Sequence, residues 1–256
     1  MNIFDVWNKP VLAVLTINLM GLGHTANAAV VLLSEFRTVS ANASVSTPVG
    51  SDSASTSKNS LGDFADFDES VEIDFSLDDA FANATAQQSS QISTTSISAF
   101  GAATASAEII AFDPFFSTNA NANGNTNLSM DFQVDTQQLF DLSGVVLSSV
   151  FGGFSFGQAD VSLRSQDGSF NISFSTPFFD GNETPFDLSG TLFPNIYTLS
   201  ANANIDADAF GEGAVSGAAL FSLDFNVAAV PIPAAAWLFG SGLLGLVGIA
   251  RRKKAA

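Results

Sequence analysis

The amino-acid sequence predicts an all-β protein. The expected fold is an antiparallel β-sandwich, jelly-roll-like, or a barrel, with an N-terminal signal peptide before it and a single C-terminal transmembrane helix after it. Three observations carry this. Apolar and polar residues alternate with a period of two in five separate stretches. Turn-forming residues stand between those stretches, and no part of residues 30–229 keeps a helical period of 3.6.

The N-terminal element is residues 1–28. Lys9 precedes an apolar run of about twelve residues, too short to span a bilayer. Ala26, Asn27 and Ala28 then supply a small-x-small site, so cleavage is expected after Ala28, leaving Ala29 as the first residue of the exported chain.

The body, residues 29–229, carries the alternating stretches. Val71, Ile73, Phe75 and Leu77 alternate with Glu72, Asp74, Ser76 and Asp78. The same pattern runs through residues 128–134, 170–174, 199–207 and 221–227. Each stretch is a strand with one dry and one wet face, and solvated faces favour antiparallel pairing. Turn signals fall at residues 165–168, 179–182 and 211–213. Residues 40–60 and 117–127 are rich in Ser, Thr, Asn and Ala and read as exposed loops or worn strands. The pentapeptide Phe140-Asp141-Leu142-Ser143-Gly144 recurs as Phe186-Asp187-Leu188-Ser189-Gly190, as equivalent strand starts in one sandwich would. Residues 30–229 hold 23 of the 25 phenylalanines, which are expected to form most of the core.

Charge and inventory exclude much. Residues 30–229 contain only Arg37, Lys58 and Arg164 against 24 acids, a net of −21 that repels nucleic acid. The chain has no cysteine, and its one histidine, His24, lies in the signal peptide. A Ser-His-Asp triad, a Cys-His dyad and ordinary zinc or copper sites are therefore impossible in the exported chain. Pairs of carboxylates remain, but with 24 acids some pair always lies close, and the aromatic platforms of sugar-processing enzymes are nearly absent. The body reads as non-enzymatic, an extracellular glycan-active enzyme being the weaker alternative. A calcium site is the one cofactor the residues suggest: Asp63, Asp66, Asp68 and Glu69 open an acid-rich run, though without the Asp-x-Asp-x-Asp-Gly spacing. A solvated acidic edge explains the same run.

The last element is residues 230–256. Residues 234–250 are apolar apart from Ser241, about 25 Å of helix, at the short end of spanning length. Arg251, Arg252, Lys253 and Lys254 follow and place that end in the cytoplasm and the body outside. Val230-Pro231-Ile232-Pro233-Ala234, the helix and the basic tail together resemble the PEP-CTERM protein-sorting domain, in its Val-Pro-Leu-Pro-Ala form, with Ile232 where many members carry Glu. The resemblance covers about 27 residues. It implies an exported precursor held in the inner membrane and then processed by an exosortase, a membrane transpeptidase-like enzyme. The mature form is then expected at the cell surface or outside it, linked to exopolysaccharide and biofilm. Signal peptidase is the other expected partner. A carbohydrate- or calcium-binding adhesion module is the alternative reading of the body.

Overall fold

The computed structural model describes residues 30–111, 118–152, 155–176 and 181–230. Twelve strands fill them: β1 (Val31–Thr47), β2 (Gly50–Leu61), β3 (Phe67–Leu77), β4 (Ala80–Ile92), β5 (Ser96–Ile109), β6 (Asn119–Val134), β7 (Gln138–Phe151), β8 (Ser155–Ser165), β9 (Asn171–Ser175), β10 (Thr184–Leu192), β11 (Asn195–Phe210) and β12 (Gly213–Ala229). They form two six-stranded sheets, β2-β1-β6-β11-β8-β9 (sheet A) and β10-β7-β12-β5-β4-β3 (sheet B), with every pairing antiparallel. The sheets are open at both sides and face each other, so the molecule is a sandwich and not a barrel. Among the described residues there is no helix. The expected signal peptide, with Ala26, Ala28 and Ala29, lies outside them, as does the C-terminal segment from Pro231, with Ile232, Pro233, Ala234 and the basic tail. Val230 ends the described chain, half-buried just after β12.

The strand order has a simple origin. β5 pairs with β12, β6 with β11, β7 with β10 and β8 with β9. A single long ribbon folded over on itself gives these pairs, and rolling it up gives β10-β7-β12-β5 on one side and β6-β11-β8-β9 on the other. That is the eight-stranded jelly-roll path. The hairpins β1–β2 and β3–β4 then extend the two sheets in the same direction, beyond β6 and β5.

Residues 40–60 and the described part of 117–127 are not loops. They form β1, β2 and the start of β6, and β6 lies inside sheet A. The alternation is present but uses small residues: Ala120, Ala122 and Gly124 face in, while Asn121, Asn123 and Asn125 face out. Alanine against asparagine is a weak hydrophobic contrast, which is why the strand is faint in the sequence. Asp78, expected on the wet face of a strand, sits in the β3–β4 turn with φ of 51° and accepts a hydrogen bond from Thr47 Oγ1 (3.0 Å).

The interior has two parts. One, under β7, β8, β10 and the adjoining ends of β5, β6, β11 and β12, holds Phe132, Phe140, Phe186, Phe221, Phe225 and Tyr197. Its rings touch in series: Phe132 lies 5.7 Å from Tyr197 and 5.4 Å from Phe225, and Phe174 stacks on Phe186 at 4.4 Å. The other part, under β1, β3, β4 and the opposite ends of β5, β6, β11 and β12, is built mainly of alanine, with Val, Ile and Phe67. The expected phenylalanine core is thus concentrated in one half, with only Phe67 and the partly buried Phe75 in the other among the described residues; Phe81, Phe100, Phe151, Phe156, Phe193 and Phe210 are exposed. In the alanine half the sheets lie close. A Cβ added to Gly124 of sheet A would come within 2.6 Å of the Thr85 carbonyl oxygen in sheet B.

The repeated pentapeptide has a more specific meaning than equivalent strand starts. Its two copies pair with each other. Phe186 faces Gly144, Asp187 faces Ser143, Leu188 faces Leu142, Ser189 faces Asp141 and Gly190 faces Phe140. Each phenyl ring fills the space that a side chain on the opposing glycine would take: a Cβ on Gly190 would lie 2.7 Å from the Phe140 ring, and one on Gly144 2.7 Å from the Phe186 ring. The motif is therefore self-complementary in antiparallel pairing, with Leu142 and Leu188 at its centre.

Candidate functional site

The four acids considered for calcium are not gathered. Asp63, in the β2–β3 connection, accepts hydrogen bonds from Ser60 Oγ (3.0 Å), the Ala65 N–H (3.1 Å) and Arg37 Nη2 (3.1 Å). The Ser60 hydroxyl first, then the Ala65 N–H and Arg37, hold its carboxyl below the usual carboxylate range. Glu69 pairs with Lys58 at 2.6 Å, tying edge strand β3 of one sheet to edge strand β2 of the other. Asp66 and Asp68 are exposed. Among the described residues, no group of three or more His, Cys, Asp or Glu side chains converges as a metal would need.

Arg37 is the residue that sequence reasoning passed over. It shares the inward parity of β1 with Glu35, Val39, Ala41 and Ala43 and is fully buried. Its Nε donates to Glu35 Oε1, Nη1 to Ser90 Oγ (3.2 Å) and Nη2 to Ser60 and Asp63, and its guanidinium lies 5.1 Å from the centre of the Phe67 ring. One cation thus ties β1, β2, β4 and the β2–β3 connection together. Neither its phase nor its buried role was legible, because the weak contrast of β1 hid the strand and parity alone does not say that a charge has partners.

The two outer faces differ in how far their polar groups are already used. On sheet A, β6 and β11 present matched rows: Asn121 opposite Asp208, Asn123 opposite Asp206, Asn125 opposite Asn204 and Asn127 opposite Asn202. These side chains largely satisfy one another. Asn121 donates to Asp206 (3.2 Å) and to Asp208, Asn123 to Asn204 (3.2 Å), and Thr198 to Asp131 (2.6 Å). Burial, and then the neighbouring Asp208 carboxylate, push the Asp206 carboxyl up.

On sheet B, two shallow depressions lie along the central strands β5 and β12. One, of about 360 Å³, is lined by Thr104, Ser106, Ser149, Phe151 and Ser216. The other, of about 300 Å³, is lined by Ser89, Gln91, Ser98, Phe100, Ser222 and Asp224. Phe100 faces Ser222 and Phe151 faces Ser216, so the two rings stand six residues apart along β12, roughly 20 Å at strand spacing. Phe100 is 38% and Phe151 75% exposed, although both lie on strands whose other face is core. Apart from Thr104, which bonds Thr85 at 2.7 Å, and Ser90, which also lines the second depression and accepts from Arg37, the hydroxyl, amide and carboxylate side chains of both depressions form no hydrogen bond among the described residues. Arg37, Lys58 and Arg164 are all on sheet A, so the strands of sheet B carry acids and no cation. The face therefore offers phenyl rings for stacking, many uncommitted short polar groups, and negative potential. A sequence signal existed for Phe100: it interrupts the alternation of β5 by placing a large ring in the wet phase between Ala99 and Gly101.

No family model matches this chain, and no curated protein does. Among solved structures, a carbohydrate-binding module, TmCBM61, in complex with beta-1,4-galactotriose, is similar at 10% identity and a TM-score of 0.26, over 47% of this chain and 74% of that one. Carbohydrate-binding modules from the beta-sandwich superfamily are similar at 11% identity and a TM-score of 0.18, over 73% and 83%. The enzymatically active domain of tailspike protein 4 of bacteriophage CBA120 is similar at 14% identity and a TM-score of 0.26, over 57% of this chain but only 19% of that one. Likeness at this level says nothing of ligand or activity.

Proposed function

We propose that this protein is a non-enzymatic module of the cell envelope or extracellular matrix that holds polysaccharide on the outer face of sheet B. The observation that carries the reading is the contrast between faces: the central amide and carboxylate rows of sheet A, on β6 and β11, are largely spent on one another, while sheet B leaves most of its polar groups open between two exposed rings. Sugars are recognised by stacking on an aromatic face and by hydrogen bonds from short polar side chains, and both are available there. With no cation on sheet B, the fitting ligand is a neutral polysaccharide and not an acidic one. Binding of neutral and uronate-rich polysaccharides to the exported protein tests this. Phe100→Ala and Phe151→Ala are each expected to weaken neutral-glycan binding about tenfold, a loss of about 1.4 kcal/mol. Binding that survives both, or that prefers the uronate polymer, overturns it.

Delivery is proposed to follow the terminal segments: export by the N-terminal signal, a membrane-held precursor, and processing at Pro231-Ile232-Pro233 by an exosortase. Deleting residues 230–256 should move the protein from its normal fraction; unchanged fractionation sinks the sorting role.

A further inference from the structure

We infer that strand β10 is an association edge, at which a second copy of this chain pairs with the first through the pentapeptide of residues 186–190. Among the described residues the sandwich has four edge strands, β2, β9, β3 and β10. An open edge is a template for another strand unless it is charged, short or interrupted. β3 carries Asp68, Glu69, Glu72 and Asp74, so two copies of it repel. β2 is wet on both faces, with no apolar side to cover. β9 has only five residues. β10 has nine, one charge and a half-buried Leu188, and β7 is the one strand it pairs with.

What selects a second copy as the occupant is the motif itself. β10 already pairs with β7 by setting this pentapeptide antiparallel against an identical one. Two β10 strands meeting edge to edge bring the same two sequences together in the same orientation. Centred on Leu188, the register would set Phe186 against Gly190 of the second copy, Asp187 against its Ser189, and Leu188 against its Leu188. No carboxylate then faces a carboxylate, which matters on a body this acidic. Pro185 lacks a backbone donor and flanks the motif, so it bounds the ladder at each end and disfavours slipped registers. The two-fold axis through Leu188 gives a closed, isologous contact, a dimer and not a fibre.

The chain has no cysteine, which makes the test direct. Directly opposed antiparallel residues have Cα atoms about 4.5–5.5 Å apart, within disulfide reach. In the full-length chain, Leu188→Cys should therefore give a covalent dimer on mild oxidation. Asp187→Cys, two residues out of register with itself, should give at least tenfold less. The Asp187→Cys/Ser189→Cys double variant should link again. Sedimentation of the unmodified full-length protein in density-matched detergent should show a concentration-dependent dimer, independently of how any variant folds. A monomer at every concentration, or Asp187→Cys linking as readily as Leu188→Cys, overturns the proposal.

Discussion

The phenylalanine half and the alanine half of this sandwich solve one packing problem in two ways. In the first, rings from both sheets fill a wide gap and touch one another. In the second, the gap is narrowed until methyl groups and glycines suffice. The first half gains stability from large buried areas, while the second gains contact from backbone closeness and has little room to change. Between them the interior is small or polar: Gly101, Thr126 donating to Gln88 (3.3 Å), and the Arg37–Glu35 pair.

The largest effects should separate the halves by truncation. Phe132→Ala or Phe221→Ala leaves a cavity and should cost about 3–5 kcal/mol in chemical denaturation. Ala84→Gly in the other half should cost only about 1 kcal/mol. Equal losses would mean that the two halves do not differ in how they are stabilised.

Breaking the boundary should come next. Arg37→Met leaves Glu35 buried without its cation and should cost about 3 kcal/mol. The double variant Glu35→Leu/Arg37→Met should recover most of that loss, and a double-mutant cycle by denaturation measures it. A double variant as unstable as the single one would show that the pair does more than balance its own charge.

Adding volume should test how closely the sheets lie in the alanine half. Gly124→Ala forces a methyl against the Thr85 backbone and should cost about 1–3 kcal/mol. Gly50→Ala, where the added methyl meets nothing within 4 Å, should stay within about 0.5 kcal/mol. Melting temperatures of the two decide whether the sheets are as close as the alanines imply.

The smallest effect is electrostatic. Asp206 is raised by burial and by Asp208, so it favours the protonated form in the folded state. Stability should rise as pH falls from its raised value towards the ordinary 3.8. Asp206→Asn should flatten that rise, by no more than about 0.5 kcal/mol. Asp167 behaves oppositely. The Ser165 hydroxyl, then the Ser169 N–H and hydroxyl, hold it far below its ordinary value, so its contribution is present above about pH 4 and fades on further acidification. Melts of Asp167→Asn from about pH 3 to pH 7 should show a constant gap to the unmodified protein that begins to narrow only below about pH 4.

Legibility followed side-chain contrast. The alternation of Phe, Leu and Ile with Asp and Ser marked β3, the second half of β6 and β12 clearly, and in β11 Leu199 and Ile205 made a run of Ala against Asn readable. The alternation of small apolar residues with Asn and Ser hid β1 and the start of β6, because a methyl against a short amide barely registers as hydrophobic contrast, and β2, wet on both faces, shows no alternation at all. The repeat at residues 140 and 186 was visible as a repeat but not as a pair. Of the candidate site, the wet phase of Ser222, Asp224 and Asn226 was readable, as was the misplaced ring of Phe100; that they share one groove was not.

The sequence by itself determined which way each strongly patterned side chain faces, since direction in a strand depends only on a local period of two. It also determined that residues 29–256 have no histidine or thiol chemistry, and that sheet-forming segments lie between two apolar ends. Only the tertiary structure decided which strands are neighbours. That choice set β5 beside β12 to make the groove, β7 beside β10 to join the two pentapeptides, and alanine opposite alanine to bring the sheets close. Strand pairing joins residues far apart in the chain, and the energy that selects one partner over another comes from whole faces meeting, not from any single stretch.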